Sequence, residues 1–133
     1  IVYVIDASGS LANTEELDII AGHLNDIDAL IRPIKTYVIY CDNTVLNVDE
    51  FEQGEEIILR HYDGGGTAFA PPFNWSLAHD VHPICLVYFT DGYGTVGGYR
   101  RLDEEPTYPV VWATTGVAPG FKDNSFGTVF EVE

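Results

Sequence analysis

Two stretches of unbroken apolar residues, each closed by an acidic, hydroxyl-bearing turn, constrain this chain most. Ile1-Val2-Tyr3-Val4-Ile5 runs straight into Asp6-Ala7-Ser8-Gly9-Ser10, and Ile84 to Phe89 runs into Thr90-Asp91-Gly92. A strand with one face in water alternates apolar and polar residues; a continuous apolar run rich in β-branched residues suits a parallel strand covered on both faces. Such strands require helices above and below them, which points to an α/β architecture.

The intervening pattern agrees. Leu17, Ile20, Leu24, Ile27 and Leu30/Ile31 recur at helical spacing, with Asn13 or Thr14 as the N-cap and Pro33 as the stop. Tyr37–Cys41 reads as a second strand, and the Asp42-Asn43 turn lets Val45–Phe51 pair back as a hairpin. Ile57-Ile58-Leu59 reads as a further short strand, before the loop Gly64-Gly65-Gly66. Pro71 and Pro72 suit the first turn of a helix running through Trp75 and Leu77. Val110–Ala113 and Thr128–Val132 supply the last strands. The expected fold is a compact, mostly parallel sheet of about six strands flanked by helices, in one domain over residues 1–133.

Composition narrows the function classes. Hydrophobic residues make up 46% and charged residues 20%, as in a globular protein. Six Lys/Arg against 21 Asp/Glu leave a net charge of −15, which repels nucleic-acid phosphates. No apolar run has the roughly 20 residues of a membrane span, and no signal peptide is recognisable. Cys41 and Cys85 fall in apolar runs and read as two buried free thiols of a reducing cytoplasm. The chain has no Met and opens inside a strand, so it reads as the C-terminal piece of a longer protein.

In parallel sheets the loops at the carboxyl ends of the strands carry the site. Three such loops, 6–10, 64–67 and 90–94, concentrate Asp, Ser, Thr and Gly. Asp6, Ser8, Ser10, Thr67 and Asp91 offer only oxygen donors, the set that suits a hard divalent cation: Mg²⁺ foremost, with Mn²⁺ or Ca²⁺ as alternatives, but not zinc or copper. His79-Asp80-Val81-His82, with Pro83 after it and the cysteines far off, reads as surface residues beside a helix end; His23 and His61 read as structural.

These motifs resemble those of von Willebrand factor A (VWA) domains, which have a Rossmann-like fold. Val4–Ser10 resembles the DxSxS motif, Gly65-Gly66-Thr67 the metal-binding threonine loop, and Phe89-Thr90-Asp91-Gly92 the TDG segment. Together they match an intact metal-ion-dependent adhesion site. The resemblance implies that the serines and threonine hold the metal directly or by switching, and that the aspartates often act through water. Tyr40-Cys41-Asp42, Gly64–Phe69 and Pro109–Ala113 resemble a bacterial VWA-like subgroup that follows a metallopeptidase-like domain. Members of that subgroup often accompany MoxR-type AAA+ ATPases, so the resemblance implies a protein partner that supplies an acidic ligand to the metal; the acidic charge and the lack of an apolar span are what argue against nucleic acid and membrane. This chain has fewer helices between its later strands than larger VWA domains, which weakens the expectation of integrin-type helix movement.

An enzyme of the haloacid dehalogenase phosphatase type is the alternative, because it too starts with a strand ending in Asp. It needs a second Asp two residues on as general acid; Ser8 stands there, and a hydroxyl cannot serve near neutral pH. No GxxxxGK[ST], GxGxxG or G-x-S-x-G pattern is present, so nucleotide-binding and serine-hydrolase readings also lack their residues. A non-enzymatic binding module is therefore expected. Arg100 and Arg101, after Asp91, form a basic pair placed to steer an acidic partner.

Overall fold

The computed structural model describes residues 1–7, 14–62, 64, 68–90, 106–114 and 127–131. Its elements are β1 (Val2–Asp6), α1 (Thr14–Ile31), β2 (Lys35–Cys41), β3 (Val45–Glu52), α2 (Ala70–Ala78), β4 (Leu86–Thr90), β5 (Val110–Thr114) and β6 (Thr128–Glu131). They build one six-stranded sheet in the order β3-β2-β1-β4-β5-β6. All neighbours run parallel except β2 and β3, which form the expected antiparallel hairpin. The α/β fold anticipated from the apolar runs is the one observed.

Alternation along the strands assigns each face its cover. On one side Tyr3, Ile5, Val38, Tyr40, Val87 and Phe89 pack with Leu17, Ile20 and Leu24 of α1. On the other, Val2, Val4, Ile39, Cys41, Tyr88 and Trp112 pack with Phe69 and with Phe73 of α2. β1 and β4 lie in the middle and are buried throughout, the physical reason for their unbroken apolar sequence. Beneath α2 the aromatic rings interlock. Trp112 stacks on Tyr88 at 4.7 Å, and Phe69 meets both edge-on at 5.4 and 5.7 Å.

Three local readings need correction. Ile57–Leu59 forms no strand. The side-chain amide of Asn25 occupies the backbone of Ile57 instead, accepting from its N–H at 2.8 Å and donating to its C=O at 3.0 Å. A neighbouring strand would have used those same two groups. The segment then follows the α1 face, where the Arg60 N–H donates to the Tyr40 hydroxyl and Tyr62 packs on the Tyr40 ring. β4 begins at Leu86 and not at Ile84, which lies in a bend and is 63% exposed. Cys41 is buried, but Cys85, just before β4, is only half-buried.

At the amino end of the sheet, Asp28 of α1 accepts hydrogen bonds from the Tyr3 and Thr36 hydroxyls at 2.7 and 2.8 Å. One carboxylate thus ties α1 to β1 and β2. Burial and this bond push the Tyr3 hydroxyl well above its usual pKa. The helix-end histidines lie where the sequence put them. His79 follows α2, stacked on Trp75, and exposed His82 bonds to Asp80. Among the described residues no helix is long and apolar enough to cross a membrane.

Candidate functional site

The chain leaves β1 for β2 on one side, while β4, β5 and β6 build out on the other. The order therefore reverses between β1 and β4, and in open parallel sheets the crevice outside the carboxyl ends of such strands is where ligands bind. Asp6 ends β1 and Thr90 ends β4 at this point. Both are fully buried, and the Thr90 hydroxyl donates to Oδ2 of Asp6 at 2.7 Å. Among the described residues five polar or charged side chains are buried, and three of them, Asp6, Thr90 and Thr114, end the adjacent strands β1, β4 and β5. A buried carboxylate is costly unless it is hydrogen-bonded or paired with a cation. Its presence inside an apolar sheet marks this edge as more than a turn.

The neighbouring loops are drawn onto the same edge. The Ala7 N–H donates to the Cys41 carbonyl at 2.8 Å, continuing the β1–β2 pairing one residue past the strand. Asp42 opens the hairpin by accepting the Thr44 N–H on its side chain at 3.0 Å, while its carbonyl accepts the Ala68 N–H at 3.0 Å. Gly64 lies so close to β1 that a Cβ there would be 2.8 Å from the Ala7 oxygen. Only glycine permits that approach. The stretch bearing Thr67 is therefore bracketed by Gly64 against the end of β1 and Ala68 against the end of β2.

Below Asp6, on the α2 face, the Cys41 thiol lies 3.3 Å from the Tyr88 hydroxyl. Burial, with the Asp6 charge nearby, pushes the thiol up to about 12 and the phenol well above its normal value. Both stay neutral near pH 7. Cys41 is thus a neutral packing group among the aromatic rings of this face.

The family model for the VWA-like domain (DUF2201) matches residues 1–133. The chain belongs to this family. No curated protein and no solved structure matches it. Membership suggests a protein-interaction module.

Of the five anticipated metal ligands of this VWA-like domain, Asp6 is described, at the switch point. Ser8, Ser10, Thr67 and Asp91 lie outside the described residues, as do Arg100 and Arg101. Among the described residues no group of three or more His, Cys, Asp or Glu could hold a metal ion. The expected set has only Asp6 in that portion of the chain. Thr90 and Thr114 are the site-edge residues that sequence reasoning missed. Thr90 stood inside the Thr-Asp-Gly motif, a hydroxyl closing an otherwise apolar strand, but only the pairing of β1 with β4 aims it at Asp6.

Proposed function

We propose that this VWA-like domain docks a protein partner through one divalent cation held by Asp6, Ser8, Ser10, Thr67 and Asp91. The observation that supports it most is the buried Asp6 carboxylate at the sheet's switch point, hydrogen-bonded by Thr90 and flanked by two anchored loops. Each remaining donor stands close in sequence to one of these anchors: Ser8 and Ser10 come one and three residues after Ala7, Thr67 precedes Ala68, and Asp91 follows Thr90. The donor chemistry fits Mg²⁺, which uses one or two carboxylates and keeps several waters. When bound, the ion supplies an electron-poor coordination position for an acidic side chain of the partner. A MoxR-type AAA+ ATPase is the partner that the VWA-like resemblance implies, and a reducing cytoplasm is the compartment that fits two free thiols.

In this reading the site residues orient and hold the ion, and Ser8 stands where a general acid would be needed, so no phosphatase or peptidase activity is expected. Calorimetry with Mg²⁺ and Mn²⁺ tests the reading. Wild type should bind one equivalent, and Asp6→Ala/Asp91→Ala should bind none. Equal binding by both would remove the site from consideration, and metal-dependent phosphomonoester hydrolysis abolished by Ser8→Ala would replace docking with catalysis.

A further inference from the structure

The opposite end of the sheet exposes a second set of unusual residues. Leu30 is 86% exposed and Ile34 83%, with Ile84 at 63% and Ile31 at 43%. Single exposed aliphatic residues are ordinary, whereas a group of them marks an interaction surface. These four come from the end of α1 and from the residues just before β2 and β4. Because β2 and β4 flank β1, Ile34 and Ile84 stand on either side of the start of β1, roughly 10 Å apart by two strand spacings.

Beside this patch a cavity of about 570 Å³ opens between the last turns of α1 and the turn after β3. Asp28, Arg32, Pro33, Glu55 and Glu56 are among its lining residues, three carboxylates against one guanidinium. Its wall is built in advance. Arg32 adopts a left-handed φ of 53°, its N–H donates to the Asp28 carbonyl at 2.7 Å, and its own carbonyl accepts from the Gln53 side chain at 2.7 Å. The turn opposite is closed by the Glu55 N–H donating to the Glu52 carbonyl at 3.0 Å, with Gly54 at φ 84°. A wall already ordered loses little conformational freedom on binding.

We propose that this amino end is a second docking surface, for a protein segment that places a lysine or arginine in the acidic cavity and aliphatic side chains on Leu30 and Ile34. A second copy of this chain is a poor occupant, since each copy carries a charge of −15 and would bring like charge to the cavity. The surface lies at the far end of the strands from Asp6 and contains none of the proposed metal ligands, so it functions without the cation. The domain then has two independent faces, one metal-dependent and one not.

The test is an NMR titration of the protein in EDTA with an amphipathic Leu/Lys peptide, with the matching Leu/Glu peptide as control. The Leu/Lys peptide should bind saturably, with amide shifts concentrated in residues 28–34 and 53–56, and the Leu/Glu peptide should not bind. Glu55→Gln/Glu56→Gln and Ile34→Ser, all at exposed positions, should each weaken binding about tenfold; added salt should weaken only the charge-dependent part. Shifts that map elsewhere, equal binding of the Leu/Glu peptide, unchanged affinity in both variants, or no saturable binding would each overturn the proposal. EDTA keeps this result separate from the fate of the metal-site reading.

Discussion

Thr90→Val isolates the hydrogen bond that holds Asp6. The replacement keeps the β-branched shape at the end of β4 and removes one hydroxyl, which donates to Asp6 Oδ2 at 2.7 Å. Both residues have no exposed surface, so water cannot take over the bond without entering the sheet. Hydrogen bonds to charged groups contribute about 1.5–3 kcal/mol. Unfolding entropy of about 2.1 cal/mol/K per residue converts a loss of roughly 2 kcal/mol in this domain into a Tm about 7 °C lower. Thr90→Ser keeps the donor and should recover most of that loss. The assay is a thermal melt in EDTA followed by circular dichroism, repeated with Mg²⁺. Under the docking reading, Val should also reduce metal-induced stabilisation, because Asp6 loses one of the groups that orient it. A Tm for Thr90→Val within about 1 °C of wild type, or an equal drop for Thr90→Ser, would refute the reasoning.

Two further outcomes follow from the same geometry. Gly64→Ala sets a Cβ 2.8 Å from the Ala7 oxygen, so the loop or β1 must give way; overpacking of this kind costs about 1–3 kcal/mol, and a denaturant midpoint equal to wild type would show that the approach is not tight. Alkaline pH should destabilise the fold, since burial raises Cys41 from 9.0 and Tyr40 from 10.0 to about 12 each. A group whose folded pKa is raised stabilises the fold fully below its unfolded pKa, and that contribution is lost as pH climbs toward the folded value. The urea midpoint should therefore hold up to pH 9 and fall between pH 9 and 12; a midpoint still flat at about pH 11 would contradict it.

The layer architecture was legible because it is written in local pattern. Unbroken apolar runs mean strands covered on both faces, Leu17, Ile20 and Leu24 mark one helix face, and two prolines mark the start of α2. Ile57–Leu59 misled because three apolar residues suit a strand or any buried extended segment equally well. The choice was made by Asn25, 32 residues away, whose amide captures the Ile57 backbone. Ile84 misled for a related reason: hydrophobicity alone does not say which end of an apolar run enters the sheet.

The candidate site divides along the same line. Sequence by itself determined the donor chemistry, since an Asp-x-Ser-x-Ser turn, a glycine-flanked threonine and a Thr-Asp-Gly turn offer only hard oxygen ligands. It also determined that the first and last of these motifs follow strands. That the Ile84–Phe89 strand lies beside β1 is expected from the sequence; only the tertiary structure decided the register in which they pair, although residues 7–85 separate them in the chain. That pairing puts the Thr90 hydroxyl on Asp6 and the switch point beneath the loops, and it seats Gly64 against Ala7. Register follows from the packing of both sheet faces at once, under helices α1 and α2, and no local window of residues contains it.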